Sequence, residues 1–176
     1  MIRAFAMLLL FAAVAHADPD PAAPIEEPAP RRPTPFDQGK FGFSAGAGSQ
    51  TVLGGRYFGI AAGGSYFVLD GLALDLGAEF QWGDGPNIAR LTPEVRYVVQ
   101  PLVGKFPLIP YAAVFYSHWF IGESFIDQDA VGTRGGLLYV SGSLVLGLGV
   151  AYEHIVSTCD MDCSAIYPDL TIAISF

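Results

Sequence analysis

From Leu72 to Trp82 the chain reads LALDLGAEFQW, and the two faces this stretch would show as a strand are chemically unlike. Leu72, Leu74, Leu76, Ala78, Phe80 and Trp82 occupy one parity; Ala73, Asp75, Gly77, Glu79 and Gln81 occupy the other. Successive side chains of a strand point to opposite faces, so this pattern specifies a two-faced sheet. The second parity constrains the fold most. A sheet face turned to water is dense in Lys, Glu and Thr of mixed charge, whereas this one is small residues with a few acids. RLTPEVRYVV divides in the same way, with Leu91, Pro93, Val95, Tyr97 and Val99 against Arg90, Thr92, Glu94, Arg96 and Val98. LVLGLGVAYEHIV sets Leu144, Leu146, Leu148, Val150 and Tyr152 against Val145, Gly147, Gly149, Ala151 and Glu153. KFGFSAGAGS sets Phe41, Phe43, Ala45 and Ala47 against Gly42, Ser44, Gly46 and Gly48. Small residues beside a few opposite charges suit the crowded lumen of a narrow barrel, where charges can pair. The Leu, Phe, Val and Ile parity then faces lipid, with Trp82, Tyr97, Tyr139 and Tyr152 as interfacial aromatics.

Four further segments complete the count. RYFGIAAGGSYFVL (56–69) and IPYAAVFYSHWF (109–120) are apolar on both parities in places; Thr133 to Tyr139 is short, with Arg134 opposite Leu137 and Tyr139; the last is DLTIAISF, Asp169 to Phe176. The expected fold is all-β: an eight-stranded antiparallel up-and-down transmembrane β-barrel over residues 40–176. Tight turns are expected at Leu69–Leu72 and Val140–Leu144, alternating with longer loops at Ser49–Gly55, Gly83–Ala89, Ile121–Gly132 and Ser157–Ala165. Gln100–Leu108 is longer than the short-turn rim of such a barrel predicts. A sixteen-stranded porin, at about nine residues per strand, would not fit into residues 40–176.

Hydrophobic residues make up 52% of the chain and charged residues 15%, against about 25% charged in an average domain. No run approaches the roughly 20 apolar residues that a spanning helix needs. MIRAFAMLLLFAAVAHADPD supplies Arg3, an apolar core from Ala4 to Val14, and Ala15-His16-Ala17 before Asp18. This is the layout of a secretory signal, residues 1–17, too short for a membrane anchor. Residues 18–39 carry a proline every two or three positions and are expected to form an extended, solvated periplasmic linker. Loss of the signal takes Arg3 with it, moving the net charge from −8 to −9. That charge disfavours a nucleic-acid partner.

A closed barrel pairs its last strand with its first, so an ending inside a strand pattern has a reason. Leu170, Ile172, Ile174 and Phe176 alternate to the final residue, beginning beside Asp169. This ending resembles the signal by which bacterial outer-membrane barrels are recognised for assembly, with Thr171 where glycine is common. Together with the leader and the strand layout, Lys40 to Phe176 resembles the small outer-membrane barrels of OmpA and OmpX type. The resemblance implies a Gram-negative outer membrane, contact with its lipid and with the barrel-assembly machinery, and a monomer. OmpA-type proteins place a peptidoglycan-binding domain after the barrel, whereas the Pro-rich linker here precedes it.

The lumen set is Asp75, Glu79, Glu94, Arg96, Arg134, Glu153 and Asp169, with His118 as a further candidate. Eight strands leave no aqueous channel, so an ion-pair network that fills the lumen is expected rather than a proton or ion path. YSHW (116–119) places Ser117 beside His118, but adjacent strand residues face opposite ways and cannot pair. The His-x-Ser spacing of the lipid A deacylase PagL is absent. DQDAVG (127–132) offers Asp127 and Asp129 to calcium, yet Val131 cannot ligate and no glutamate follows at the twelfth position. A solvated acidic loop is expected there. Cys159 and Cys163, the only cysteines, are expected to form a disulfide; zinc held with Asp160 and Asp162 would be short of the usual Cys and His ligands. The expectation is therefore a non-enzymatic outer-membrane barrel with a plugged polar lumen and no cofactor, acting structurally or through its loops. The alternatives are a lipid-modifying enzyme on the same barrel and a soluble, lipocalin-like periplasmic binder of an apolar ligand.

Overall fold

Alternation becomes eight strands: β1 Phe41–Val52, β2 Gly55–Leu69, β3 Leu72–Gly83, β4 Ile88–Val98, β5 Leu108–Ile121, β6 Gln128–Ser141, β7 Leu144–Ile155 and β8 Ser164–Ser175. The computed structural model describes residues 33–52, 55–103, 106–122, 126–157 and 163–176. Residues 1–32, which hold the expected signal peptide and most of the expected linker, lie outside them. Each strand pairs antiparallel with its chain neighbour, and β1 with β8 closes the barrel.

Which parity faces out is plain from exposure. Leu74, Leu76 and Phe80 are 51%, 53% and 43% exposed, whereas Ala73 between two of their neighbours is at 0%. A barrel holding an apolar ligand in water would show the reverse. Aromatic side chains gather near both ends of the outer face. Phe41 packs on Tyr66 at 4.7 Å between ring centroids, and Phe58 on Trp82 at 5.0 Å.

The strands run further than hydrophobic alternation alone indicates. The loop expected at Ser49–Gly55 is ladder almost throughout, since β1 and β2 stay in register to Val52↔Gly55. Likewise β6 begins at Gln128, inside the loop expected at Ile121–Gly132. Backbone pairing does not require apolar side chains, so ladders continue past the apolar band. At the other rim, Gly71 and Gly142 take φ of 78° and 61° in the two tight turns, a left-handed conformation that glycine adopts without steric cost. The longer connection between β4 and β5 contains a 3₁₀ helix, Gln100–Leu102.

One expected boundary needs correction. The solvated linker does not extend to residue 39, because the stretch just before β1 folds against the short-turn end. Phe36 is 3% exposed and joins a buried cluster with Phe67, Ala73, Val98, Ile109, Leu138 and Val145. Asp37 accepts hydrogen bonds from the Thr34 backbone N–H at 2.8 Å and the Thr34 hydroxyl at 2.7 Å, which bends the segment. Gly71 N–H donates to Phe36 O at 2.8 Å, and the Ser175 hydroxyl donates to Pro35 O at 2.8 Å. The prolines keep the segment from pairing as a strand, and the buried ring supplies the apolar contact that holds it.

Candidate functional site: the lumen and the side seam

The lumen has three layers. The Phe36 cluster fills the short-turn end, and Tyr57, Ile88 and Ile121, with Trp119 against them, form a second buried cluster toward the other end. Between them lies a ladder of charges.

Three arginines organise it. Arg96 on β4 donates to Asp75 Oδ1 on β3 at 2.6 Å and to Ser65 Oγ on β2 at 2.8 Å. Arg90, also on β4, pairs with Glu79 on β3 and reaches Glu153 on β7 at 3.5 Å. Arg134 on β6 spans the barrel: its Nε lies 2.9 Å from Glu94 Oε2 on β4, and its Nη1 lies 3.2 Å from Asp169 Oδ1 on β8. Two tyrosines extend the links. Tyr111 donates to Asp169 Oδ2 at 2.7 Å, and Tyr167 donates to Glu153 Oε2 at 3.2 Å. The Arg134 guanidinium also sits 4.8 Å over the Phe115 ring, a cation–π contact. Bidentate guanidinium geometry suits arginine to this bridging in a way that lysine's single ammonium does not.

All seven residues of the sequence-derived lumen set occupy the inner parity and take part in these contacts. Their partners differ from simple parity. Glu94 lies two residues from Arg96, yet it is Arg134 from across the lumen that holds it, while Arg96 turns to Asp75. His118 does not belong to the lumen. It lies on the outer parity beside Phe120, with its Nδ1 2.7 Å from Asp129 Oδ1 and Tyr116 donating to the same oxygen. Ser117 faces inward at 1% exposure. Asp129 is a residue of β6 paired with His118, not part of a solvated loop, because strand pairing takes it in; Asp127 accepts from Ile121 N–H at 3.0 Å. Cys159, Asp160 and Asp162 lie outside the described residues. Leu170, Ile172, Ile174 and Phe176 line the outer face, between 47% and 75% exposed.

The closing seam is unlike every other joint. β1 pairs with β2 along twelve positions but with β8 along three: Gly42↔Ser175, Phe43↔Ile174 and Ser44↔Ala173. Phe41 and Phe176 exchange backbone hydrogen bonds at the very end. Beyond Ser44 and Ala173 no register pairs join the two strands among the described residues. A cavity of about 390 Å³ lies beside the charge ladder and reaches this gap, lined on one side by Gly46, Gly59, Ala61 and Gly63.

Two solved structures share the architecture. The N-terminal β-barrel domain of Pseudomonas aeruginosa OprF aligns over 79% of this chain and 98% of its own, at 14% identity and a TM-score of 0.55. The fold is the eight-stranded outer-membrane barrel. Neisserial surface protein A (NspA) matches with a TM-score of 0.51 over 77% of this chain and 94% of its own, also at 14% identity. At that identity the likeness is one of fold. No family model and no curated protein matches the sequence.

Within this outer-membrane barrel fold, sequence reasoning missed four participants. Arg90 shares the parity of Glu94 and Arg96 and belongs in the charge set on that ground alone. Phe36 had no strand pattern to place it. Tyr111 and Tyr167 sit in segments whose parity was ambiguous or unassigned. The seam had a partial signal: Pro168 lies within the last strand, and a proline inside a sheet belongs at an edge or a break in the ladder, although pairing with β1 already ends at Ala173.

Proposed function

We propose that this protein resides in the bacterial outer membrane as a non-enzymatic barrel, acting structurally or through its surface loops, with an axial path that does not conduct. The observation that carries this reading is Arg134 bridging Glu94 and Asp169 across the lumen, between apolar layers at both ends. The strands are 11 to 15 residues long, enough to span hydrocarbon when tilted. Residues 1–17 direct export, residues 18–32 form a periplasmic linker, and the outward C-terminal residues serve the assembly machinery. A single chain is the functional unit.

Reconstitution in planar bilayers tests the central statement. The expected trace is flat, and steady conductance steps would overturn the plugged lumen. Orientation in lipid is tested separately. Leu74→Arg on the outer face is expected to cost about 2–4 kcal/mol if it lies near the bilayer midplane, read as a lowered urea midpoint for folding into vesicles. An unchanged midpoint would remove lipid from that face. The proposed Cys159–Cys163 disulfide closes only a short loop, so it contributes less than the roughly 3 kcal/mol estimated for a fifteen-residue loop. The double Cys→Ser variant is expected to insert and fold, with faster proteolysis at the β7–β8 loop. Two free thiols in the mass of the unreduced protein would exclude the bond.

The lipid-modifying alternative has one observation in its favour: His154 Nδ1 lies 2.8 Å from Ser164 Oγ on the outer face. Release of fatty acid from co-reconstituted lipid, lost in Ser164→Ala, would replace the non-enzymatic reading with that one.

A further inference from the structure

The outer face of the barrel is chemically uneven at its long-loop end. Over β2 and β3 that end is aromatic: Phe58 packs on Trp82, and the Phe80 ring centroid lies 5.8 Å from that of Trp82. Over β5 to β8 it is hydrogen-bonding. The ladder register sets Tyr116, Val131, His154 and Ser164 side by side across four strands, since Tyr116 pairs with Val131, Val131 with His154, and His154 with Ser164. Nearer the loops, His118 pairs with Asp129. All of these belong to the outer parity, where directly paired neighbours lie about 5 Å apart. The same membrane surrounds the whole barrel. An interfacial girdle accounts for the aromatic half and leaves the polar half to be explained.

That polar facet is internally ordered. The Tyr116 hydroxyl donates to Asp129 Oδ1, and His118 Nδ1 lies 2.7 Å from the same oxygen. His154 Nδ1 and the Tyr152 hydroxyl lie 2.8 Å and 3.2 Å from Ser164 Oγ. Each imidazole is thereby held through Nδ1, which leaves Nε2 on the opposite edge of the ring to meet a ligand. His118 Nε2 is 3.9 Å from Asp127 Oδ2, too far for a hydrogen bond. Tyr116, Val131 and Tyr152 are 41%, 43% and 44% exposed, so apolar contact surface is open beside the polar atoms.

We propose that this facet binds the uncharged sugar head group of a glycolipid, whose acyl chains continue along the apolar surface of the same strands. Side-chain chemistry selects the head. A sugar hydroxyl both donates and accepts, which matches imidazole and hydroxyl groups that do either, and tyrosine rings offer flat apolar surface beside a polar tip. A phosphate head group calls for guanidinium or ammonium. The outer face of β5 to β8 carries neither, because the one arginine of these strands, Arg134, turns inward to Glu94 and Asp169. Asp127 and Asp129 would repel phosphate as well. A divalent cation finds no group of three or more His, Cys, Asp or Glu able to hold it among the described residues. The lipid anchor follows from what adjoins the facet. Two residues further from the loops than Tyr116 and Tyr152, Val114 and Val150 are 57% and 56% exposed on the same face, and a free sugar would leave them unused.

The proposal rests on membrane residence, and the test separates the two. Mature protein is refolded into phosphatidylcholine vesicles, and insertion is checked by heat-modifiable migration; failure there defeats membrane residence itself. Inserted protein, transferred to a zwitterionic detergent, is incubated with equal amounts of glucosyl dioleoylglycerol and dioleoyl phosphatidylglycerol and examined by native mass spectrometry. The expected result is one glucosyl lipid per barrel, favoured over phosphatidylglycerol by about tenfold, as a single net hydrogen bond can supply. His118→Ala combined with His154→Ala should remove that preference while the barrel still migrates as folded, since both side chains lie outside the ion-pair ladder. His154→Ala alone should weaken it, and Leu76→Ala on the outer face of β3 should leave it intact. Equal retention of both lipids, an unchanged preference in folded His154→Ala, displacement of the lipid by an equal concentration of methyl glucoside, or a dimer that excludes the glucosyl lipid would each overturn the proposal.

Discussion

Arg134→Met is expected to cost about 3–5 kcal/mol of folding stability, the penalty for leaving buried charge without its partner. The side chain holds two carboxylates at once, and both are well buried: Glu94 at 7% and Asp169 at 10% side-chain exposure. Removing the guanidinium leaves both without this partner in a layer of low dielectric, though Tyr111 still donates to Asp169. The measurement is equilibrium urea unfolding in detergent micelles, followed by heat-modifiable migration and tryptophan fluorescence. Combining Arg134→Met with Glu94→Gln and Asp169→Asn should recover part of the loss, since the charges then leave together. Arg96→Met should cost less, because Arg96 serves one carboxylate and a hydroxyl. A double-mutant cycle that finds no coupling between Arg134 and either acid would dissolve the ladder as a stabilising unit.

Phe36→Ala is expected to destabilise the barrel by a similar amount, about 3–5 kcal/mol, as for other buried aromatic truncations. The ring packs on Phe67 with centroids 5.7 Å apart and is 3% exposed. The segment that carries it has no ladder on either side, so this ring is its principal apolar anchor. Deleting residues 18–32 should leave the urea midpoint where it was, whereas a deletion running through residue 39 should lower it as Phe36→Ala does. Equal midpoints for both deletions would return the whole Pro-rich stretch to the solvated linker.

These two residues also mark what the sequence could and could not convey. The barrel was legible because the Leu72–Trp82 pattern repeats, and because glycine and alanine on one parity are wrong for a water-facing sheet. Residue type and parity together placed Asp75, Glu79 and Asp169 inside. Pairing across the lumen was not legible, because Arg134 and Glu94 lie on strands that are not neighbours. Their meeting depends on barrel diameter and stagger, which no local pattern encodes. Phe36 was hidden for a different reason. One apolar residue among prolines has no periodicity, and its burial is decided by where the first strand begins relative to the last turn. His118 was misplaced because its segment is apolar on both parities, so the sign of its face could only come from its neighbours in space.

The short closure between β1 and β8 also bears on the order of assembly. Seven of the joints in this barrel link strands adjacent in the chain, and can form as hairpins. The eighth must bring Gly42 to Ser175 and Pro35 to Ser175, across almost the whole folded chain, and ordering such distant segments is entropically slow. With three register pairs it has little to offer early in the process. The hairpin sheet is therefore expected to form first as a curved, unsealed ribbon, with circularisation last. The segment around Phe36 then acts as a latch rather than a nucleus: weakening it hastens opening of the finished ring and leaves the rate of sheet formation largely as it was.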